Sequence, residues 1–418
     1  MRFVFITQYY PPEIGAAPTR LQAIAEQLAR LGHEVEVVTA RPNYPRGRFF
    51  DGSGWRFYVR ELRNGIVVHR VWLYPAIGGG FGRVLNYATF CLTSIFGLLR
   101  AKRPDYLFVE SPPLITSIPA RLASLVWGAP YIFNVADLWP DAAVEAGFIR
   151  KGLIYRLMLR VESWSYHNAA YVNAATEGIR DALTGKKGLP AEKVHFLPNG
   201  ADVVRYRPRE PDVHLKKQLG LEGKRIILWA GTIGYSHGLE YVLRAAKLLE
   251  VQPEIHFLFL GDGSARSRLQ ELKTDLNLQN VTFRNPVPIE ELPPYYSIAE
   301  CGLASLTSLP LHEGARPSKI FAVLASAKPL IFVGRGECAR LVELANAGIV
   351  VPPEDAPALA RQILDLFRDH ELIRQLGENG RRFVTAHFQW SDLVVKWLEC
   401  LHPTPALPIK AARISATP

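Results

Sequence analysis

The alternation of short apolar segments with amphipathic ones is the feature that most limits the fold of this chain. Residues 2–7 have the pattern of a buried strand, residues 18–31 carry leucine and isoleucine at helical spacing, and residues 34–40 are apolar again. Further strand-like segments follow at 106–110, 131–135, 171–175 and 194–198. This β–α–β order predicts a parallel sheet covered by helices on both faces.

The same pattern begins again after a polar, charged stretch at residues 202–224. In this half, strands are predicted at 225–231, 255–261, 281–283, 301–306, 329–334 and 348–352. Two Rossmann-like domains are therefore expected, at residues 1–201 and 202–385. A helix at 386–402 is expected to pack back on the first domain, ahead of a tail at 403–418. Ligands in such sheets bind beyond the carboxyl ends of the strands, so the interdomain cleft is the expected site.

Composition narrows the class of partner. The 418 residues carry a net charge of +10, which favours nucleic acid, nucleotides or acidic lipid headgroups. The sequence contains no nucleic-acid-binding motif, so nucleotide and lipid remain. The four cysteines are scattered, and the eleven histidines show no close ligand spacing. This pattern predicts neither a disulfide framework nor a metal site.

The sequence predicts a cytoplasmic protein without a membrane-spanning helix. Met1 and Arg2 lead directly into an apolar strand pattern, and no small-residue cleavage site follows. The longest uncharged run, residues 84–99, has 16 residues, fewer than the roughly 20 that a helix needs to cross a bilayer. Peripheral association with the inner face of the cytoplasmic membrane is the second expectation.

Residues 83–103 provide a way of binding that membrane surface. A narrow stripe of small and polar side chains along the predicted helix leaves a wide apolar face. The stripe consists of Asn86, Thr89, Thr93 and Gly97, and the face of Leu85, Leu92, Ile95, Phe96 and Leu99. The flanking cations, suited to anionic headgroups, are Arg83, Arg100, Lys102 and Arg103. The alternative is a helix packed on the sheet of its own domain.

Several nucleotide chemistries lack their motifs here. No predicted strand is followed by Gly-x-Gly-x-x-Gly, since GDGSAR at residues 261–266 supplies only the first two glycines. The sequence contains no phosphate-binding P-loop and no Gly-x-Ser-x-Gly elbow. Dinucleotide redox chemistry, P-loop ATP hydrolysis and α/β-hydrolase chemistry are therefore excluded.

The segment EGARPSKIFAVLASAKP, residues 313–329, predicts an anion site. Gly314 and Pro317 mark a turn before an apolar helix. Ser318 is expected to cap the free N–H groups of that helix, and Lys319 lies in its first turn. A cation at this position opposes the helix dipole unless an anion binds beside it. The alternative is an ordinary surface lysine.

Eleven segments share their order and spacing with a known family. They are YYPPEIGAAPTRL, RPNYPRG, VLNYATF, FVESPPL, NVADLWPDAAVEAG, EGIRD, VHFLPNGAD, AGTIGYSHGLE, FLGDG, RPSKIF and AGIVVPPED. In this order they resemble the retaining nucleotide-sugar glycosyltransferases of family 4, which have the GT-B fold. The resemblance extends to about residue 402. It is closest to members that build O-antigen, capsule and colanic-acid-type exopolysaccharide.

The resemblance implies a function for each half of the chain. The C-terminal domain would bind a nucleoside diphosphate-sugar through Lys319, and the N-terminal domain would present a glycan acceptor, commonly lipid-linked. Transfer would be retaining and would need no metal or other cofactor. The expected catalytic residues are Asp137, Glu13 and Lys319. The expected substrate- and nucleotide-binding residues are Gly15, Asn199, Gly231, Thr232, Gly263, Glu313, Arg316, Ser318 and Lys319.

Most of these residues also have a structural interpretation. Asp137 ends a strand at the cleft, where aspartate often caps a turn. Gly15 permits close approach of a sugar or phosphate, or it only serves the loop that contains Glu13. Arg316 is expected as a second diphosphate contact and Glu313 at sugar hydroxyls, unless both are solvated.

Five changes around the cleft depart from the family pattern. The family usually has glutamate, Ala-Gly, arginine, asparagine and glutamine, where this chain has, in the same order, Ala322, Ser326-Ala327, Ala136, Thr232 and His237. These changes imply altered donor geometry or weakened catalysis. A catalytically weakened GT-B protein that serves as a binding or scaffold subunit of a polysaccharide assembly therefore stays open. A UDP-sugar epimerase of the same fold fits NVADLWPD and PNGAD poorly.

Overall fold

Each half of the chain forms its own sheet in the computed structural model, which describes residues 1–44, 46–50, 56–76, 78, 80–145, 147 and 149–401. The N-terminal strands are β1 (Arg2–Thr7), β2 (Glu34–Ala40), β3 (Tyr58–Arg63), β4 (Ile66–Val71), β5 (Tyr106–Ser111), β6 (Tyr131–Val135), β7 (Tyr171–Ala174) and β8 (Val194–Phe196). Their order is β3-β4-β2-β1-β5-β6-β7-β8. All neighbours are parallel except β3 and β4. The predicted parallel α/β architecture is confirmed for this half.

Helices connect these strands and cover both faces of the sheet. They are α1 (Ala16–Arg30), α2 (Phe81–Arg100), α3 (Ser117–Trp127), α4 (Asp141–Glu145), α5 (Leu153–Asn168) and α6 (Glu177–Asp181). β1, β2, β5 and β6 agree with the predicted strands to within one residue. Because helices exclude water from both faces, these strands are almost continuously apolar.

The hairpin of β3 and β4 was absent from the sequence prediction. Asn64 and Gly65 join the two strands with φ angles of 50° and 79°, and Arg63 pairs with Ile66. A two-residue turn with both φ angles positive suits the right-handed twist of a hairpin, and Asn-Gly is its preferred sequence. The Asn-Gly dipeptide was therefore the signal that the prediction missed.

The C-terminal half forms a fully parallel sheet. Its strands are β9 (Arg225–Ala230), β10 (Ile255–Leu260), β11 (Val281–Arg284), β12 (Ala299–Ser305), β13 (Leu330–Val333) and β14 (Gly348–Val351), in the order β11-β10-β9-β12-β13-β14. Its helices are α7 (Val213–Gln218), α8 (Leu239–Leu248), α9 (Arg266–Asp275), α10 (Leu292–Ile298), α11 (Lys319–Ala325), α12 (Glu337–Leu344), α13 (Ala356–Phe367) and α14 (His370–His387). The carboxyl ends of parallel strands lie at one edge, so the loops after β9 and β12 share the edge that carries the start of α11.

The chain crosses back to the N-terminal half after α14. Ala201 donates its N–H to the carbonyl of Phe388 at 2.6 Å, and helix α15 (Trp390–Glu399) packs against α1. The indole of Trp397 is buried there and donates to Asn173 Oδ1 at 2.9 Å. A Cβ at Gly200 would lie 2.7 Å from the Trp390 ring. The small residue after Asn199 is therefore required by this crossing.

Helix α2 places its polar stripe against the protein. Asn86 is buried and donates to the Tyr74 carbonyl, Thr93 donates to the Trp72 carbonyl, and Gly97 lies against Val38. The same helix buries Phe90, Cys91 and Leu98, as the core-helix alternative requires. Leu92 and Leu99 stay 68% and 72% exposed, whereas Leu85, Ile95 and Phe96 are half-buried. The predicted wide apolar face is thus narrower than expected.

The flanking arginines of α2 are partly engaged by the protein. Arg83 donates to the Tyr9 hydroxyl at 2.7 Å, and Arg100 stacks on the Phe96 ring. Arg83 therefore does not present a free guanidinium to a membrane surface, contrary to the prediction. None of the helices in the described part of the chain combines the length and apolar character that a membrane crossing requires.

Ala327 occupies a backbone conformation that favours glycine. Its φ is +53° in the turn between α11 and β13, where a Cβ crowds the backbone at a cost of roughly 1–2 kcal/mol. The family that the sequence resembles usually has glycine here, and the positive φ supplies the physical reason. Gly377 packs on the carbonyl of Ala327, because a Cβ at residue 377 would lie 2.2 Å from that oxygen.

Replacing Ala327 by glycine should stabilise the protein. We expect the free energy of unfolding of Ala327→Gly to rise by about 0.5–1 kcal/mol, because relief of the strained φ exceeds the added freedom of the unfolded chain. Urea denaturation measures the change. The matched control Ala360→Gly, in the interior of α13, should instead lose about 1 kcal/mol or more. Equal losses in the two variants would contradict the strain at Ala327.

Candidate active site

A cavity of about 660 Å³ lies between the two halves of the chain. Its N-terminal wall comes from the carboxyl ends of parallel strands and contains Glu110, which is in β5, and Asp137, which follows β6. Its C-terminal wall contains His237 and Arg316. The predicted interdomain cleft therefore exists, and residues from both halves face each other across it.

Lys319 is the first residue of α11. Its side chain as a whole is partly exposed but its Nζ is buried, and it lies outside the lining of the cavity, which includes the preceding residue, Ser318. Its Nζ lies 3.0 Å from the centroid of the Trp229 ring, and no atom of the described residues accepts a hydrogen bond from it. Burial lowers the pKa of this amine well below its ordinary value. Gly231 makes room for the side chain, because a Cβ there would lie 3.3 Å from Lys319 Cε. A buried ammonium without an acceptor is costly, which indicates a site that an anion completes.

His237 shares this environment. Its ring packs edge-on against Trp229 at 4.9 Å between centroids. Burial, followed by the charge of Lys319, lowers the pKa of His237 well below its ordinary value. The imidazole is therefore neutral at physiological pH and lines the cavity beside the lysine without adding positive charge.

Arg316 lines the cavity three residues before Lys319. One of its terminal nitrogens pairs with Glu337, and the guanidinium lies 5.2 Å from the centroid of the Phe388 ring. Nε and Nη1 have no acceptor among the described residues. Arg316 is thus buried rather than solvated, and two of its donor nitrogens remain unused.

Ser318 does not cap α11, contrary to the prediction. Its φ and ψ angles of −62° and −23° are already helical, and its side chain makes no capping hydrogen bond. A serine caps a helix from an extended conformation, which aims its oxygen at the N–H groups that follow. Ser318 itself lines the cavity.

The loops after β9 and β10 pack backbone against backbone. Gly263 has a φ of +154°, and a Cβ there would lie 2.4 Å from the Ile233 carbonyl. A Cβ at Gly261 would lie 1.9 Å from the Gly231 carbonyl. The predicted binding residues Gly231, Thr232 and Gly263 are not in the lining of the 660 Å³ cavity. Glu313 lines a second, smaller cavity of about 210 Å³ together with His312 and Arg335.

Asp137 projects into the cavity from the N-terminal wall. Its side chain is open to the cleft, yet the surrounding walls displace enough water to raise the pKa of its carboxyl to about 6. Glu13, in contrast, is buried and outside the lining of this cavity. It accepts N–H groups from Asn43 at 2.9 Å and Tyr44 at 2.8 Å. Burial raises the pKa of Glu13 to about 7, although those hydrogen bonds act to lower it.

Glu13 therefore ties the loop after β1 to the loop after β2, and its predicted catalytic role stays a prediction. Gly15 has an extended φ of 163° and precedes α1. A Cβ there would make only an ordinary contact with Pro18. No atom of the described residues requires glycine at this position, and the approach of a sugar or phosphate to Gly15 stays a prediction. Asn199 lines the cavity, where its Oδ1 accepts from Arg20 Nη1 at 3.0 Å.

Sequence reasoning missed two buried charged residues of the N-terminal wall, Arg20 and Glu110. Arg20 also donates to the Leu197 carbonyl. Glu110 Oε2 accepts from Asn134 at 2.8 Å, while Oε1 has no partner among the described residues. Burial raises the pKa of Glu110 to about 7, although the charge of Arg20 opposes this shift. A carboxylate at the end of an otherwise apolar strand was the available signal.

Two family models match the chain. Residues 15–200 match the glycosyl transferase 4-like domain, and residues 213–383 match glycosyl transferases group 1. WcaI of Escherichia coli K12, whose name assigns it to glycosyl transfer in colanic acid biosynthesis, is 30% identical over 385 residues, 88% of this chain and 93% of WcaI. The chain belongs to glycosyltransferase family 4.

Solved structures of glycosyltransferases share the whole architecture. Sucrose-phosphate synthase from Thermosynechococcus elongatus has a TM-score of 0.73 at 19% identity and covers 95% of this chain and 97% of its own. Anabaena HepE, solved in complex with UDP-glucose, has a TM-score of 0.71 at 16% identity and covers 96% and 100%. At these identities the likeness shows the fold alone. The GT-B fold is confirmed.

The residues that depart from the family pattern differ in where they lie relative to the cavity of this glycosyltransferase. Ala136 lines the cavity. Ala322 is half-buried on α11, packed against the core of the C-terminal half.

No group of three or more histidine, cysteine, aspartate or glutamate side chains within the described ranges is arranged to hold a metal ion. The expectation of metal-independent transfer stays a prediction.

The raised pKa of Glu110 makes its effect on stability depend on pH. The folded protein keeps the proton up to about pH 7, whereas the unfolded chain loses it near pH 4.5, so ionisation lowers stability as the pH rises between these values. Glu110→Gln cannot ionise. We expect its free energy of unfolding, relative to the unchanged protein, to rise by roughly 2–3 kcal/mol from pH 4.5 to pH 8.

Glu36→Gln is the matched control with the opposite sign. Burial alone would raise the pKa of Glu36, but its hydrogen bonds with His69 and Lys102 outweigh burial and hold the pKa below its ordinary value. This carboxylate stabilises the protein above pH 4.5 and loses that effect in acid. Glu36→Gln should therefore be less stable at pH 7, with a penalty that shrinks below pH 4.5. Denaturation curves for Glu110→Gln that run parallel to those of the unchanged protein would refute the Glu110 assignment.

Proposed function

We propose that this glycosyltransferase moves a sugar from a nucleoside diphosphate-sugar to a glycan acceptor in bacterial surface polysaccharide biosynthesis, with retention of configuration and without a metal. The observation that carries the proposal is the pair of cations at the start of α11, Arg316 and Lys319, whose donor nitrogens are buried. Lys319 Nζ, Arg316 Nε and Arg316 Nη1 are donors without acceptors among the described residues. A diphosphate would supply acceptors for all three.

The geometry supports catalysis by stabilising the leaving group. Charge develops on the diphosphate as the bond to the anomeric carbon breaks, and cations already fixed in a protein wall stabilise that charge with little reorganisation. Asp137 lies on the opposite wall, where its carboxylate can accept a hydrogen bond from an acceptor hydroxyl. The two halves enclose the cavity, which limits the water that would compete as acceptor.

Similar proteins support the proposed class of sugar donor and the proposed polysaccharide product. HepE was solved with UDP-glucose, which favours a nucleoside diphosphate-sugar as the donor of this chain. The name of WcaI favours an exopolysaccharide product. The departures at Ala322, Ala136 and Thr232 would also suit a scaffold that no longer turns over. The retained, unpartnered cations favour a protein that still binds its donor, since they are costly without one.

Lys319 should separate nucleotide affinity from folding stability. Lys319→Ala should weaken nucleoside diphosphate binding by about 1.5–3 kcal/mol, as expected for loss of a charged hydrogen bond. Lys319→Met should lose the same affinity while the free energy of unfolding rises by about 1 kcal/mol, because an apolar side chain replaces an uncompensated buried charge. Calorimetry with UDP and GDP and urea denaturation measure the two effects.

Lys328→Ala is the matched control. Lys328 is a half-buried lysine of the same half that donates to the Ser297 carbonyl, away from the cavity. Its removal should leave nucleotide affinity unchanged. Unaltered affinity in both Lys319 variants would remove this lysine from the site. Nucleotide binding by the unchanged protein without release of nucleoside diphosphate in the presence of lipid-linked acceptors would favour the scaffold.

We also propose that the N-terminal half binds an anionic membrane surface. Helix α3 contacts both α2 and α5, and the three helices expose apolar side chains on their outer sides. The most exposed of these are Phe81, Val84, Leu92, Leu99, Leu125, Val126, Leu153, Ile154 and Leu157. Arg156 and Arg160 are exposed on α5 among them. Apolar area joined to cations is the composition that binds acidic lipid headgroups.

Sedimentation with liposomes tests this surface. The protein should pellet with vesicles of phosphatidylglycerol and phosphatidylcholine, but not with phosphatidylcholine alone, and binding should fall with salt. The double variant Arg156→Ser with Arg160→Ser should bind roughly 30-fold more weakly, since each of the two cations contributes about 1 kcal/mol near such a surface. Val251→Ser with Leu344→Ser removes two exposed apolar side chains of the other half and should change nothing. Protein that stays in the supernatant with acidic vesicles at low salt would refute the membrane proposal.

A further inference from the structure

The first residues of α6 meet the C-terminal half through a single carboxylate. Glu337 begins α12, and both of its oxygens accept backbone N–H groups from the other half. The N–H of Glu177 lies 3.1 Å from Oε1, and the N–H of Gly178 lies 2.9 Å from Oε2. These N–H groups at the start of α6 have no partner within their own helix, so Glu337 serves as their cap from across the interface.

The same carboxylate pairs with Arg316. Both side chains are 4% exposed, and a terminal nitrogen of Arg316 donates to Oε1. Glu337 therefore divides its negative charge between a cation of the cavity wall and the N–H groups of the opposite half. Arg316 keeps Nε and Nη1 unused. The position of its guanidinium thus depends on a residue that also joins the two halves.

Glycines allow the two backbones to approach this closely. A Cβ at Gly178 would lie 2.4 Å from Gly314 Cα across the two halves, and a Cβ at Gly336 would lie 2.4 Å from Glu313 Cα within the C-terminal half. The Thr176 hydroxyl donates to the Gly314 carbonyl at 2.7 Å and accepts the Ile179 N–H at 3.1 Å. The contact around Glu337 is therefore tight, and Gly314 belongs to the same turn as Arg316.

We propose that Glu337 is a positioning residue that couples occupation of the diphosphate site to contact between the two halves. When the halves touch, the N–H groups of α6 share the charge of Glu337, which leaves Arg316 freer to bind an anion. When they separate, Glu337 retains Arg316 as its main partner and competes with the anion. By thermodynamic reciprocity, an anion on Arg316 then strengthens the contact between the halves.

This inference rests on the proposed function for the identity of the anion, and its test uses inorganic pyrophosphate and UDP as probes. Gly178→Ala places a methyl group against Gly314 and should separate the halves without touching Arg316. We expect it to weaken binding of both probes by about fivefold or more, the lower range of coupling between sites. Small-angle scattering should show that pyrophosphate compacts the unchanged protein and no longer compacts this variant.

Gly185→Ala is the matched control, because a Cβ at Gly185 would meet no atom within 4 Å. It should bind both probes and compact as the unchanged protein does. In the Glu337→Gln background the competing charge is gone, so adding Gly178→Ala should change pyrophosphate affinity less than about twofold, a clear departure from additivity. If Gly178→Ala does not fold, Thr176→Val removes the bond to Gly314 and takes its place.

The outcomes distinguish the two proposals. An unchanged protein that binds neither UDP, GDP nor pyrophosphate would overturn the proposed function and this coupling with it. A protein that binds them while folded Gly178→Ala keeps full affinity would overturn the coupling alone. Equal losses from Gly178→Ala with and without Glu337→Gln would also overturn it, because they would show that the effect does not pass through Glu337.

Discussion

Buried positive charge needs a compensating negative charge, and this constraint organises the cavity. Arg20 faces Glu110, Lys187 pairs with Asp141 and Glu162, and Arg225 pairs with Glu300. Lys319 has no hydrogen-bond acceptor among the described residues and lies on the face of Trp229, which attracts a cation more weakly than a carboxylate does. The fold keeps this uncompensated charge in place because the next residues of α11, Ile320 and Phe321, are packed in the core of the C-terminal half. Such retained cost is characteristic of a functional site.

The two walls of the cavity differ in electrostatic character. The C-terminal side contributes Arg316 in the cavity lining and Lys319 three residues later, both with donors that have no acceptor among the described residues. The N-terminal wall contributes two carboxyls of raised pKa, Glu110 and Asp137. A donor with an anionic leaving group suits the first wall, and the hydroxyl of an acceptor suits the second. The proposed reaction would therefore require both halves together. In the proposed coupling, an anion bound to Arg316 strengthens the contact that Glu337 makes between the two halves.

The sequence predicted the fold far better than the site. Strand limits such as Arg2–Thr7 and Tyr131–Val135 follow from local apolar patterns, and Lys319 was placed correctly at the start of its helix. Glu337 was not singled out, because its partner Glu177 lies 160 residues away along the chain. The Ser318 cap failed because a serine at the right position must also have an extended backbone. A local sequence pattern is enough to predict a helix or strand, whereas the partner of a buried charge depends on contacts between residues far apart in the chain.

The exposed apolar surface lies close to the cavity, so binding of a membrane there would bring a membrane-anchored acceptor near the site. Lys151 lines the cavity, and Leu153, two residues later, begins the exposed side of α5. A bilayer beneath α5 would therefore lie near the N-terminal rim of the cavity. An acceptor anchored in that bilayer would arrive at the wall of Asp137 and Glu110, while a water-soluble donor would reach the opposite wall. Confinement to the surface raises the effective concentration of the anchored acceptor at the site.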